Sequence, residues 1–214
     1  AAILIFANNP FEGASLRDIS LLAGVNSSLI QYYFGGKEGL YLETLRFAFE
    51  IGILPILHIP HPPNPNEPEA YLKAVLALRG YVQMLALKCL APRNESDPVF
   101  SSDLEHAALL LWAREMRSPR PLAETLILES IRPYVHHVTQ CIQVLRPDLD
   151  AEGLFLMEVS IHGQLLHFFS HPELVRLIRG EAYTDSNLQS LTEHFTHFSL
   201  RGLGVSEALL GQIS

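Results

Sequence analysis

The chain has 214 residues, 48% apolar and 18% charged, with a net charge of −8. That much apolar material builds one large folded unit or two small ones and excludes a disordered polymer. The acidic balance excludes a broad, charge-driven affinity for nucleic acid. No run reaches the ~18 uninterrupted apolar residues of a membrane span, and no basic start with a small-residue cleavage site marks a secretion signal.

Taken in chain order, apolar residues recur at three and four, and no alternating strand with hairpin turns is present. This spacing predicts helices over 1–8, 16–22, 27–34, 37–52, 68–90, 101–117, 121–145, 151–170, 173–179 and 186–200, with a short one near 206–212. The first, AAILIFA, is at helical spacing from its first residue and has no cap, so it is expected to begin inside a helix. The sharpest break is HIPHPPNPNEP at 58–68, whose five prolines predict an extended connector. APRNESDP at 91–98 reads as a loop between two long helices, and SPRP at 118–121 places Pro121 at a helix start. Cys89 and Cys141 stand apart in apolar helical runs and read as buried reduced thiols of a cytoplasmic protein, with a single bridge left open. The fold class is all-α, a short-helix unit over 1–45 followed by a larger bundle of long helices over 46–214.

The stretch AGVNSSLIQYYFGGK at 23–37 is unlike its surroundings. Ser15 is suited to cap the helix LRDISLLA, with Asp18 three residues on. Leu16, Ile19 and Leu22 are expected to face a core and Arg17 and Ser20 to face out. Gly24 is placed for a left-handed C-cap, Val25 to pack back, and Asn26 to cap the next helix. In that helix Ile30 and Phe34 are expected inward, leaving Ser27, Ser28, Gln31 and Tyr32 outward and Tyr33 at the flank. Two short helices about a glycine turn make a helix-turn-helix, whose second helix fits a major groove. Gln31 has the amide to pair with adenine and the serines allow close approach, while the tyrosines and Lys37 suit phosphates. Against this stands the charge of residues 1–50, where Arg17, Lys37 and Arg46 meet Glu12, Asp18, Glu38, Glu43 and Glu50, a net −2. From spacing and charge alone, a polar surface helix of an all-α enzyme remains open.

The run from AILIFA through FEGASLRDISLLAGVNSSLIQYYFGGKEGLY closely resembles the DNA-binding region of TetR-family transcriptional repressors. Phe6, Gly13, Ser15, Ile19, Ala23, Gly24, Val25, Phe34, Lys37, Glu38 and Leu40 fall into the family's register over about 45 residues. Gln31 departs from it, standing where the family usually has a tyrosine, which moves that phosphate contact to Tyr32 or Tyr33. LLWAREMRSP (110–119), SIRPYVHHVTQCI (130–142) and SIHGQLLHFF (160–169) resemble the branch with a CecR-type C-terminal domain. The resemblance implies a cytoplasmic, homodimeric, ligand-responsive repressor on a palindromic double-stranded operator, with Arg17, Ser27, Ser28, Gln31, Tyr32, Tyr33 and Lys37 against the DNA. It also implies a variable C-terminal domain that binds an inducer.

For an effector, Tyr81, Met84, Trp112 and Phe155 are candidate apolar lining, with Gln140, His137 and His162 as polar groups; these suit a small apolar or aromatic molecule. A phosphorylated ligand is not expected, for lack of a glycine-rich loop or arginine cluster. No cofactor is implied. Among the ten histidines, His136–His137, His162, His167 and His171 invite a metal reading, but no carboxylate or cysteine completes a set, so none is assigned. Arg114 and Glu115 read as structural ion pairs. No strained nucleophile turn or clear base partner is legible, so no catalytic residue is assigned. The segment 151–170 is apolar nearly all round, so its second side needs a cover. Ser160, Gly163, Gln164 and His167, with Leu191 and Phe195 from the helix at 186–200, are the expected dimer interface. The competing classes are an all-α carrier or enzyme that retains a helix-turn-helix shape, and an adaptor anchored by Tyr32 and Tyr33.

Overall fold

The computed structural model describes residues 1–52, 63–90, 103–181 and 185–213. Among them are eleven helices and no strand. In chain order these are α1 (Ala2–Asn8), α2 (Leu16–Ala23), α3 (Ser27–Phe34), α4 (Lys37–Gly52), α5 (Ala70–Leu90), α6 (Asp103–Arg117), α7 (Glu124–Leu145), α8 (Ala151–Ser170), α9 (Pro172–Arg179), α10 (Asp185–Gly202) and α11 (Glu207–Ile213). The all-α expectation holds, with bounds that move by a few residues. Pro121 does not open α7: Arg120 to Ala123 form a turn, in which the Ala123 amide donates to the Arg120 carbonyl at 2.8 Å, and the helix starts at Glu124. The end of the proline-rich connector is a turn as well, closed by Asn64, whose side chain accepts from the Asn66 amide. The rest of that connector, the loop at 91–98 and the Cys89 side chain lie outside the described residues.

The described residues form two compact units, one drawn from Ala1–Pro55 and Asn94–Arg132, the other from Ile56–Arg93 and Pro133–Ser214. Compactness thus groups α6 with the N-terminal helices, and the division falls within α7 at Pro133. In the first unit α4 packs on α6, and α1 packs on both. Phe6, Tyr41, Leu45, Ala48, Leu111 and Trp112 fill its centre. Trp112 stacks at a tilt on Phe49, 4.9 Å between centroids, and donates its indole N–H to the Leu45 carbonyl at 2.7 Å.

The unit is also pinned by long-range polar contacts. Arg114 was expected in an ion pair. Instead its guanidinium caps α1, donating to the carbonyls of Phe6, Ala7 and Asn9, because the last carbonyls of a seven-residue helix need donors from elsewhere. Glu115 does form an ion pair, with Arg120 at 2.6 Å. Fully buried, it also accepts from the Tyr41 hydroxyl at 2.5 Å and the Arg120 amide at 2.7 Å. Burial and the adjacent Glu115 carboxylate push the Tyr41 phenol up to about 12.

In the second unit the core runs through Leu78, Tyr81 and Val82 of α5, Val138, Cys141 and Ile142 of α7, Ile161 and Leu165 of α8, and Phe195 and Leu200 of α10. The stretch Ala70–Leu87 is long and apolar enough to cross a membrane by length and mean hydropathy, although Lys73 and Arg79 interrupt it; 44% of it is buried in the protein. It serves here as a core helix, packed on α8 and α10.

Candidate functional site

The turn between α2 and α3 is built as local chemistry dictates. The Ser15 hydroxyl accepts from the amides of Arg17 at 3.1 Å and Asp18 at 3.4 Å, satisfying donors that the first helical turn leaves free. Gly24 takes the left-handed conformation at φ 68°, which costs glycine little, and lets the Val25 amide reach back to the Ser20 carbonyl. Asn26 then caps α3, accepting from the Ser28 amide and hydroxyl, both at 2.9 Å.

Inside this frame several side chains depart from the expected orientation. Ile19 and Ile30 are buried as expected, but Leu22, Val25 and Phe34 are exposed and Ser20 is buried, its hydroxyl donating to the Arg17 carbonyl. An eight-residue helix gives too few turns for the apolar pattern alone to fix its rotation. The surface of α3 is otherwise as expected. Ser27, Ser28 and Gln31 are exposed, Tyr32 is 80% and Tyr33 70% exposed, and their two rings meet edge to face at 5.0 Å. Gln31 leans towards Gly36, its amide oxygen 3.2 Å from where a Cβ there would lie. Arg17 is exposed at the start of α2. Lys37, the first residue of α4, donates to the Glu12 carbonyl at 3.1 Å and stands 4.8 Å over the Phe11 ring.

The candidate effector residues do not all come together. Trp112 belongs to the core of the first unit, and Phe155 is 55% exposed on α8. The remaining five lie in the second unit. The Tyr81 hydroxyl and His162 Nε2 are 2.7 Å apart, and His162 Nδ1 lies 2.9 Å from the Glu158 carbonyl. Because that carbonyl only accepts, Nδ1 carries a proton; in the neutral ring Nε2 then accepts from the tyrosine. Met84 packs partly buried against the core. His137 Nδ1 and Gln140 Oε1 are buried with no hydrogen-bond partner among the described residues, as is the hydroxyl oxygen of Thr192, which the sequence reading passed over.

His137 also lies near Cys141, with Nε2 3.8 Å from Sγ. Burial, and then the neighbouring His136, hold the imidazole below its usual range, while burial pushes the free thiol up to about 12. Both groups are thereby kept neutral, the reverse of the thiolate–imidazolium pair that nucleophilic catalysis uses. Among the described residues no three His, Cys, Asp or Glu side chains converge as metal ligands would.

The candidate interface residues divide too. Ser160, Gly163 and His167 are exposed on α8. Gln164 instead donates to the Ser199 hydroxyl at 2.9 Å, Phe195 is buried edge to face against Phe168, and Leu191 packs on the core. The exposed side of α8 carries Phe155, Leu156, Val159 and Leu166 at three- and four-residue spacing, and α10 exposes Phe198.

A helix-turn-helix with capped, left-handed turns at the head of an all-α chain defines a class, the HTH-type bacterial regulators. The family model described as bacterial regulatory proteins of the tetR family matches residues 1–44. That of the C-terminal domain of the HTH-type transcriptional dual regulator CecR matches residues 97–203, half of the chain. The chain belongs to the TetR family of transcriptional regulators, with a C-terminal domain of the CecR kind. It is 26% identical over 200 residues to the HTH-type transcriptional dual regulator CecR of Shigella flexneri, covering 92% of this chain and 86% of that protein. It is also 39% identical over 56 residues to the HTH-type transcriptional regulator RutR of Escherichia coli, and 39% over 49 residues to the HTH-type transcriptional repressor NicS of Pseudomonas putida. The match spans 26% of RutR's length and 23% of that of NicS.

Proposed function

We propose that the chain is a cytoplasmic repressor that binds a palindromic operator as a homodimer and releases it when a small organic effector binds. The observation that carries this reading is α3, an exposed eight-residue helix presenting Ser27, Ser28, Gln31, Tyr32 and Tyr33 behind a capped glycine turn. Such a surface suits base edges and phosphates and is a poor solvated face. Residues 1–45 are assigned to DNA and 46–214 to the effector and the dimer, with no catalytic step and no cofactor. Arg17 and Lys37 flank α3 as phosphate contacts.

The exposed apolar side of α8 supports the homodimer, since contiguous apolar surface of this kind marks an interaction site. Ser160 and Gly163 lie within it and allow close approach of a second helix, with His167 at one end. Reading both half-sites of such an operator together requires the two copies of α3 to stand about 34–36 Å apart, one helical turn of DNA. The polar atoms of His137 and Gln140 that have no partner among the described residues, together with the Tyr81–His162 pair and Met84, support an effector site in the second unit. Effector binding drives release only through a difference in affinity between the two states.

The test is selection from random duplex DNA, followed by a reporter that reads both repression and activation. Enrichment of a two-fold palindrome and reporter silencing are the expected results. A folded protein that enriches no sequence would favour a carrier that retains the helix-turn-helix shape.

A further inference from the structure

We propose that Arg120, outside the N-terminal match of residues 1–44, is a positioning residue for DNA binding that acts through Phe11 on Lys37. The inference rests on the assignment of Lys37 to a DNA phosphate. Phe11 sits in the turn between α1 and α2, and its ring takes two cations. The Lys37 ammonium stands 4.8 Å from its centroid and the Arg120 guanidinium 5.5 Å. Residue 12, next along, supplies the carbonyl that accepts from Lys37 at 3.1 Å, while its carboxylate lies 4.0 Å from Arg120. Whatever fixes Phe11 therefore fixes both anchors of the lysine. Phe11 is braced edge to face on Tyr41 at 4.9 Å and lies alongside Phe6 at 6.2 Å.

Arg120 itself has little freedom. Its Nη1 donates to Glu115 at 2.6 Å and to the Tyr41 hydroxyl at 3.1 Å, and its own amide donates to Glu115 at 2.7 Å. Glu115 is fully buried, so this end of the chain of contacts is the rigid one. A lysine on a flexible four-carbon stem is a diffuse phosphate donor. Held between a ring and a carbonyl that are themselves held, it meets the phosphate with its ordering cost already met.

The experiment measures binding of the selected duplex by fluorescence anisotropy across salt concentrations. It uses the full chain, Phe11→Leu, Arg120→Lys, Lys37→Ala and the double variant Phe11→Leu/Lys37→Ala. Phe11→Leu and Arg120→Lys should each weaken binding roughly tenfold, the order of one charge-assisted hydrogen bond, and make the salt slope shallower by about one. The double variant should bind no more weakly than Lys37→Ala, because the ring acts only through the lysine. Additive losses in the double variant, or singles with unchanged affinity and slope, would overturn the proposal. Should Arg120→Lys fail to fold, Arg120→Gln, which keeps a donor towards Glu115, carries the test, and Phe11→Leu, which leaves the Glu115–Arg120 pair in place, reads the ring's part. An unmodified chain that binds no duplex overturns the DNA-binding reading instead, and does so before any variant is made.

Discussion

Tyr41 carries a proton whose affinity is altered by folding. Its phenol is held at about 12, against an ordinary value near 10, by burial and by Glu115. The folded chain thus holds that proton more tightly than the unfolded chain does. The resulting stability is full below about pH 10 and is lost as the pH rises through about 12. Urea melts at pH 8, 10 and 11 should show the native chain losing stability over this window faster than Tyr41→Phe; parallel curves would mean that the pair is not coupled to folding. At Gln31 the expectation concerns specificity. Gln31→Ala should relax preference at one base pair by about 1–3 kcal/mol, read by repeating the duplex selection, and an unchanged site would remove Gln31 from the readers. The caps Ser15, Gly24 and Asn26 were readable because a cap bonds within three residues of itself. That Glu115 forms an ion pair was readable as well, but its partner Tyr41 and the Phe6 carbonyl that Arg114 caps were not, since they lie 74 and 108 positions away and no local rule connects them.

At the scale of the element, α8 shows what periodicity resolves and what it leaves open. A helix apolar nearly all round reads as covered on two sides, but the pattern does not say which residues face which cover. Gln164, Leu191 and Phe195 turn into the chain's own packing, whereas Phe155, Leu156, Val159 and Leu166 stay outside. The same ambiguity exposes Leu22 and Phe34 in the two short helices and Val25 in the turn between them. Gly163 gives the sharpest test, because a Cβ there would meet nothing within 4 Å of its own chain. Gly163→Trp should therefore leave the protomer folded, since within its own chain it is a surface substitution worth about 0.5 kcal/mol or less. A partner seated on the exposed side of α8 would be forced off by the indole. Sedimentation should show the unmodified chain as a dimer and the variant as a monomer at micromolar concentration; a monomeric unmodified chain would sink the dimer.

On the scale of the whole molecule, composition and periodicity were enough for an all-α chain with short helices first and long ones after. They did not reveal that α6 completes the N-terminal unit, because that depends on Trp112, Arg114 and Glu115 reaching partners in α1 and α4. The same packing places Trp112 in the core of the first unit, and Phe155 stands exposed on α8. The second unit holds an apolar core with Tyr81, Met84 and His162, and three buried polar atoms, on His137, Gln140 and Thr192, have no partner among the described residues. Buried polar groups of this kind are costly unless something pairs with them. An effector that offers a hydrogen-bond donor to Gln140 Oε1 while burying an aromatic or aliphatic body gains from both. A sugar phosphate meets no such environment, because its charge would enter an apolar core without a cationic partner. Thermal stability across a panel of hydrophobic aromatics, sugar phosphates and divalent metals should respond to the aromatics. A ligand at about 100 times its dissociation constant stabilises by about 2.7 kcal/mol, and the same compounds should release DNA. Gln140→Leu should weaken that response while holding or raising the stability of the free chain, because it removes an unpaired buried oxygen. A response confined to metals, or one that Gln140→Leu leaves untouched, would overturn this assignment of the site.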